Sequence, residues 1–374
     1  MHICHVISGY FRNDARVFLR QCLTLVDAGH QVTIITNDGA EDQTIDTVDI
    51  LNTGKIWPRW RTLLFAKKQF LKKCATLNAD VYQLHSPELL PLGLKLKKLG
   101  YKVVYDAHED MEAHILEKEW LPKFVRKPLS VLTNIYMLRT LKKFDEVISP
   151  HSHVIEKLNK KLKKGILIAN FPIIKPLPDN HFDNFTDRLP IFCYSGTVYP
   201  YSNQVEIIRS VLNTHIGKYE IAGVIADDLY TTLSEISTGD KVVFNGRIDQ
   251  SSLRKLYFRS ICGLAVYDYK LNLGYKRGSY GTNKLFEYME AGLPIICTDY
   301  ELWKEIIDFY KCGFYVVPGD EIQITEAMMT LIRDPEKARK MGENARKAAL
   351  EKFNWVTEAQ KYRRIFDEME CSNA

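Results

Sequence analysis

Asn283-Lys284-Leu285-Phe286-Glu287-Tyr288-Met289-Glu290-Ala291-Gly292-Leu293-Pro294-Ile295-Ile296-Cys297 reads as a helix that stops at a glycine and passes into a buried strand. Gly292 serves as the C-cap, because glycine reaches the left-handed conformation there without a Cβ penalty. Pro294–Cys297 is the strand that follows. Gly281-Thr282-Asn283 gives a flexible loop directly before the helix. A helix start of this kind offers unpaired N–H groups to a pyrophosphate. Glu287, one turn in, can accept two hydrogen bonds from a ribose diol. An ordinary amphipathic helix with Lys284 and Glu287 exposed fits the same residues, so the segment alone leaves both readings open.

The pattern repeats on both sides of this segment. Strands are expected at Ile191–Ser195, Tyr219–Ala222, Val242–Asn245, Cys262–Val266 and Phe314–Val317, with helices at Asn203–Leu212, Ser251–Arg259, Glu321–Arg333 and Thr357–Glu370. Upstream, Asn170-Phe171-Pro172-Ile173-Ile174-Lys175-Pro176-Leu177-Pro178 is too rich in proline for a helix or central strand, and 173–188 reads as a linker. Before it, strands are expected at His2–Ser8, Gln31–Thr36, Asp80–Leu84, Lys102–Tyr105, Glu146–Ile148 and Ile166–Ala169. Helices are expected at Asp14–Ala28, Thr62–Leu77, Glu88–Leu99 and Ser152–Lys161. Such alternation builds βαβ units and largely parallel sheets. The fold class is α/β: two Rossmann-like, doubly wound domains, 1–172 and 189–355, facing each other across a cleft, with 356–374 a terminal helix. Ligands of doubly wound sheets bind outside the carboxyl ends of the strands.

Composition agrees with a folded protein of two domains: 374 residues, 46% hydrophobic and 26% charged. None of the eight cysteines forms a short C-x-x-C pair, which argues against a zinc site or disulfide framework and for reduced thiols in the cytoplasm. Met1–Ser8 has no basic leader and reads as a first strand. No apolar run approaches the ~18 residues of a membrane span. Residues 1–170 carry 26 Lys and Arg against 18 Asp and Glu, while the remainder carries 25 against 28. The basic excess of the first half points to an anionic partner there. No motif supports nucleic acid. Residues 55–79 hold seven cations and no acid, with Trp57, Trp60, Phe65 and Phe70 interleaved, and are read as a contact with an anionic membrane surface. Residues 121–144 are also basic and acid-free, but read as a solvated helix whose apolar side packs on the sheet.

Several loops at strand ends carry candidate chemistry. Gly196 and Thr197 end the first strand of the second domain, where backbone N–H groups could approach a phosphate; a plain tight turn explains them equally. Gly9 occupies the same place in the first domain. Asp14 reads as a helix cap. Arg16, in the first helical turn, gains nothing from the helix dipole and is expected to face the cleft. His85-Ser86-Pro87-Glu88 and Asp106-Ala107-His108-Glu109-Asp110 each follow a strand. A histidine and carboxylates there can bond sugar hydroxyls or move protons. His108, with acids on both sides, is read as functional, and His85 stays open between function and loop capping.

Taken together, these residues resemble the family-4 glycosyltransferases of the GT-B fold, in the branch that assembles bacterial surface polysaccharides such as capsule. Asp14-Ala15-Arg16-Val17 through Ala28-Gly29-His30-Gln31-Val32 is similar to that family's first helix and its "aGHeV" ending. Leu84-His85-Ser86-Pro87-Glu88-Leu89-Leu90 resembles "HDPELL", and Tyr105-Asp106-Ala107-His108-Glu109-Asp110 resembles "YDxHED". Asn170-Phe171-Pro172 sits at the family's "pNg", and Phe353-Asn354-Trp355 resembles the "fsW" that opens a terminal helix crossing back to the first domain.

The resemblance implies transfer of a sugar from a nucleoside-diphosphate sugar, UDP favoured over GDP, to a glycan or lipid-linked glycan hydroxyl. It further implies retention of anomeric configuration by a metal-independent hexosyltransferase with no cofactor, cytoplasmic and peripheral to the inner face of the membrane. Glu287 matches the second glutamate of the family's two-glutamate motif, and Ser279 stands where the first belongs. Gly196, Thr197, Gly281, Thr282 and Asn283 match donor-binding loops, and His108 matches a histidine near the reaction centre. The Arg and Lys that many relatives carry after the first loop are missing, so Arg247 and Lys284 are the expected cations for the leaving diphosphate. Gly9, Arg16, His85, Asp106 and Glu109 fall on the acceptor side. The alternatives are a nucleotide-sugar epimerase of the same architecture and a sugar-nucleotide-binding subunit without catalysis.

Overall fold

The computed structural model describes residues 1–54, 67–237 and 239–371. The chain divides into two compact units, one formed by Met1–Asn170 with the segment from Trp355 onward, the other by Phe171–Asn354. The elements of residues 1–170 are β1 (His2–Val6), α1 (wide π-type turns over Ala15–Cys22 running into α-helical Leu23–Asp27), β2 (Gln31–Thr36), β3 (Gln43–Ile45), β4 (Val48–Asn52), α2 (Lys67–Leu77), β5 (Val81–Leu84), α3 (Leu90–Lys98), β6 (Lys102–Asp106), α4 (Met111–Leu116), α5 (Lys123–Leu141), β7 (Glu146–Ser149), α6 (Ser152–Leu162) and β8 (Ile166–Leu167). Residues 171–354 form β9 (Ile191–Ser195), α7 (Gln204–Asn213), β10 (Lys218–Ala222), α8 (Asp227–Ile236), β11 (Val242–Gly246), α9 (Gln250–Arg259), β12 (Cys262–Ala265), α10 (Asn283–Glu290), β13 (Ile295–Thr298), α11 (Glu301–Tyr310), β14 (Gly313–Val316), α12 (Glu321–Arg333) and α13 (Pro335–Glu351), and α14 (Trp355–Cys371) ends the described chain. Among the described residues no helix is long and apolar enough to cross a membrane.

The first unit is an eight-stranded sheet in the order β3-β4-β2-β1-β5-β6-β7-β8, parallel except for the β3–β4 pair. Parallel strands covered on both faces bury nearly every residue, as in β1, β2 and β5, whose polar members His5, Thr33 and Gln83 are buried with the rest. The two faces still differ. Cys4, Val6, Tyr82, Leu84, Val103 and Tyr105 share one core with α2, α3 and α6. Ile3, Ile7, Val81 and Val104 share the other with α1 and α14. Strand alternation puts His5, Gln83, His85 and Asp106 on that second face as well. The C-terminal helix is built into it: Trp355 Nε1 donates to Thr24 Oγ1 at 2.9 Å, and Tyr362 Oη to Gln83 Oε1 at 2.7 Å.

The second unit is a six-stranded parallel sheet, β11-β10-β9-β12-β13-β14. Strand order reverses at β9, so the crevice outside the carboxyl ends of β9 and β12 is its switch point. The proline-rich stretch carries no helix or strand and packs within this unit. Phe171 stacks edge-on against Phe286 at 4.7 Å and Phe353 at 5.3 Å, and Arg188 Nη1 donates to Ser260 O.

Some elements lie outside the sequence expectations: the β3–β4 hairpin, α4, α8, α11 and α13. The expected helix from Thr62 is described only over Lys67–Leu77, and of the basic stretch 55–79, residues 55–66 lie outside the described residues. Residues 121–144 do form a helix, and Met137, Leu138 and Leu141 pack on the core of the sheet, but Phe124, Val131, Leu132 and Ile135 are exposed. All eight cysteines are free, and seven are buried.

Candidate active site

In the second unit the polypeptide turns sharply after β9. Gly196 sits at φ +98°, and its N–H donates to Ala222 O at 2.7 Å. A Cβ on Gly223 would lie 1.9 Å from Gly196 O, so the loops after β9 and β10 meet backbone to backbone. A Cβ on Gly196 would lie 3.1 Å from Lys284 Nζ. The smallest residue at 196 therefore leaves room for an ammonium group beside the loop amides. That ammonium also lies 4.9 Å from the centre of the Tyr194 ring and 5.8 Å from that of Tyr267. No carboxylate among the described residues pairs with it. Burial lowers its pKa from the ordinary 10.5 to about 8, against a raising influence from Glu287.

Glu287 lies one turn further along α10. Tyr257 Oη is 2.7 Å from Ser195 Oγ and 3.3 Å from Glu287 Oε2, so the end of β9, α9 and α10 are tied together. Tyr288 adds a second tie, accepting from Ser195 N at 3.2 Å. The side-chain Oδ1 of Asn283, at the start of α10, is buried without a partner. Ser279 is buried. Its Oγ accepts from Gly281 N at 3.0 Å and its carbonyl from Trp303 Nε1 at 3.1 Å, which fixes the loop that leads into α10. Gly281 and Thr282 are partly exposed at the helix start, and Thr197 is exposed beside Gly196. Gly196, Thr197, Gly281, Thr282, Asn283, Lys284 and Glu287 thus belong to the strand ends and helix start at the switch point. Arg247 is exposed after β11, the edge strand, two strands away from β9 in the sheet order.

Sequence reasoning passed over Tyr257, Gly223 and the loop cations Lys270, Lys276 and Arg277. Gly223 carried a usable signal, a glycine directly after a strand. Tyr257 carried none, because it looks like any buried aromatic residue of an amphipathic helix.

In the first unit the expected residues converge on one carboxylate. Asp106, at the end of β6, is fully buried. Its Oδ1 accepts from Arg16 Nη2 at 2.8 Å, and its Oδ2 accepts from Arg16 Nε at 2.9 Å and Gln21 Nε2 at 2.7 Å. His108 Nε2 lies 3.3 Å and His85 Nδ1 3.5 Å from the same Oδ2. The network runs deeper from His85 Nε2 to His5 Nδ1 at 2.9 Å. Burial alone would raise the Asp106 carboxyl. The Arg16 charge, with the bonds from His108 and His85, outweighs it and holds the group well below the carboxylate range. Burial lowers His85, partly offset by Asp106, and lowers His5 further, aided by His85.

Asp14 is the helix cap, with Oδ1 accepting from Arg16 N at 2.9 Å and Val17 N at 3.0 Å. Arg16 does not face open space as expected. It is 5% exposed, and its remaining donors go to Ile168 O and Asn170 Oδ1. His85 is buried with it. The side chain that emerges is His108, 15% exposed, with its ring 5.1 Å from that of Tyr10. His108, Tyr10 and Glu109 line a cavity of about 640 Å³, with His85, Glu88, His114 and Lys118 also on its wall and Leu90, Tyr105, Met111, Trp120, Tyr136 and Met137 giving it a largely apolar surface. Glu109 pairs with His114 at 3.3 Å. Gly9 is exposed at φ 74° just before Tyr10.

His85, Asp106 and His108 are also the one group of three potential metal ligands among the described residues. Oδ2 of Asp106 already accepts from Arg16 and Gln21, so a cation there would have to displace bonds in a fully buried ion pair. The donor set fits a hydrogen-bond network better than a metal centre.

Two family models match this chain, "Glycosyltransferase Family 4" over residues 15–166 and "Glycosyl transferases group 1" over residues 178–348. An uncharacterised glycosyltransferase of Methanocaldococcus jannaschii is 22% identical over 194 residues, 50% of this chain and 47% of that protein. The N-acetyl-alpha-D-glucosaminyl L-malate synthase of Bacillus anthracis is 31% identical over 127 residues, 34% of this chain and 30% of that protein. The chain therefore spans less than half the length of either curated relative it matches. Among solved structures, the sucrose-phosphate synthase of Thermosynechococcus elongatus superposes with a TM-score of 0.78 at 16% identity, over 99% of both chains. Anabaena HepE in complex with UDP and glucose superposes with a TM-score of 0.73 at 13% identity, over 98% of this chain and 100% of that one. By its two family models and its two doubly wound sheets, the chain belongs to the family-4 glycosyltransferases of the GT-B fold.

Proposed function

We propose that the protein transfers a sugar from a nucleoside-diphosphate sugar, UDP favoured, to the hydroxyl of a glycan or lipid-linked glycan in cell-surface polysaccharide assembly. The observation that carries this reading is the Lys284 ammonium, lodged against Gly196 at the switch point, beside the start of α10 and without a carboxylate partner. A cation and a row of backbone N–H groups at one place suit a diphosphate. The Oε1 of Glu287 meets no donor among the described residues, which leaves it free for a ribose hydroxyl. Anabaena HepE, of the same fold, is described with UDP and glucose, in keeping with this assignment.

In the reaction the bond between the sugar C1 and the diphosphate oxygen breaks, and a bond from the acceptor oxygen to C1 forms. Lys284 and the amides at the start of α10 stabilise the negative charge on the departing diphosphate. Charge neutralisation by the protein makes a metal unnecessary, and family membership favours retention. His108, held by Asp106 beside the cavity of the first unit, is the acceptor-side group placed to hold or move a proton. The protein would work in the cytoplasm, at the inner face of the membrane.

Glu287→Ala tests the donor site. The variant should keep its far-ultraviolet dichroism and melting temperature, but lose the thermal stabilisation that UDP gives the parent protein. A variant stabilised by UDP as strongly as the parent would refute the assignment.

A further inference from the structure

Helix α5 carries a second apolar stripe that nothing in the first unit covers. The side turned to the protein buries Ser130, Thr140 and Leu141 and packs Met137 and Leu138 on the core, whereas Phe124 is 81% exposed, Leu132 65%, Val131 44% and Ile135 40%. Positions 124, 131 and 135 stand one above another at helical spacing, so these side chains form one stripe. Trp120, 75% exposed, extends it just ahead of the helix. Cations border the stripe: Lys123, Lys127, Arg139, Lys142 and Lys143 are exposed, and no acid occurs from Trp120 to Phe144. Soluble helices place their apolar stripe against the core, and an exposed one marks a contact surface. A helix with an apolar face edged by Lys and Arg suits one surface in particular, the headgroup layer of an anionic bilayer. A protein partner would need a row of acids matched to five separate cations, whereas anionic lipids supply negative charge wherever a cation falls.

The cavity beside His108 shares this helix. Thr133, Tyr136 and Met137 of α5 line it, one residue removed from Leu132 and Ile135 of the exposed stripe. We infer that α5 and Trp120 dock the first unit on an anionic membrane, and that the cavity receives from that surface the part of a lipid-linked acceptor next to the accepting hydroxyl. The docking half stands alone, and the acceptor half rests on the function proposed above.

Co-flotation tests the docking. The full chain is mixed with phosphatidylcholine vesicles with and without 30% phosphatidylglycerol, and with the triple variants F124S/L132S/I135S and K127E/R139E/K142E. The parent chain should float with the anionic vesicles, be released by high salt and stay behind with neutral ones. At about five-fold per cation, the charge-reversed variant should lose on the order of 100-fold in partition. The serine variant should also stay behind, with an unchanged melting temperature because its substituted positions are exposed. A parent chain that does not float, or variants that float as well as it does, would overturn the inference. So would gel filtration that shows a dimer of the parent chain dissociated by F124S/L132S/I135S, since the stripe would then be covered by a second copy. UDP-induced thermal stabilisation, measured on the same samples, reads the donor site independently, so docking and function can fail separately.

Discussion

Arg16 holds Asp106 through two parallel hydrogen bonds, Nε to Oδ2 at 2.9 Å and Nη2 to Oδ1 at 2.8 Å, where the first side chain is 5% exposed and the second not at all. This forked pairing joins α1 to the end of β6 and makes a fixed anion of the group on which His108 and His85 converge.

Removing one partner of a buried pair leaves the other charge uncompensated. Arg16→Met should therefore cost about 3–5 kcal/mol of unfolding free energy, and Arg16→Met combined with Asp106→Leu should cost clearly less than the sum of the two single changes. Urea denaturation of the four proteins checks this. Additive single costs would mean that the pair is not coupled. Because Asp106 is held below the ordinary carboxylate range in the folded chain, stability should fall more steeply on acidification through and below that range in the parent than in the double variant, which keeps only the contribution of other depressed carboxylates such as Asp38.

His108 and His85 touch the same carboxylate but differ in exposure, and this separates their roles. His108→Ala should lower kcat for glycosyl transfer by about 100-fold or more with little loss of stability. His85→Ala opens a polar void between Gln83, Asp106 and His5, and should cost stability first. Steady-state kinetics beside melting curves distinguish the two. Equal kinetic losses would remove His108 from its assigned role.

Gly196→Ala should weaken UDP binding by about ten-fold. The backbone there is left-handed, which costs an L-residue about 1–2 kcal/mol, and the new methyl group would press on Lys284 Nζ. Isothermal titration with UDP reads the affinity. Thr197→Ala, one residue on and exposed, is the control for the loop itself and should leave the melting temperature unchanged.

Both sheets were legible because buried parallel strands are continuous apolar runs between turn residues, as in Ile191–Ser195 and Ile295–Thr298. The β3–β4 hairpin was not: its turn residues Asp46 and Thr47 take φ of 47° and 65° without the asparagine or glycine that announces such a turn. Helix α5 was legible as a helix despite Pro128, but its outward stripe was not, because Phe124, Val131, Leu132 and Ile135 follow the same helical period as residues that face a core. At the site, residue type revealed His108, Asp106 and Glu287. Gln21 and Gln83 went unread, although Gln83 is a polar residue inside a wholly buried strand. What sequence could not supply was pairing. Arg16 looks available until Asp106, 90 residues away, is found against it.

Lys284 adds a pH dependence that can be followed without a turnover assay. Burial lowers its folded-state pKa to about 8 from the ordinary 10.5. Between those values the unfolded chain holds a proton that the folded chain has released, so this group favours folding progressively more as pH rises through that window. UDP has the opposite preference, because its diphosphate stabilises the charged ammonium. UDP affinity should therefore fall by up to ten-fold per unit above about pH 8. Near pH 8.5 binding should take up a fraction of a proton, visible as a dependence of the titration enthalpy on the ionisation heat of the buffer. Lys284→Met should bind UDP more weakly at neutral pH, lose the alkaline fall and take up no proton. An unchanged alkaline profile in that variant would assign the titration to another group and leave the diphosphate without its proposed cation.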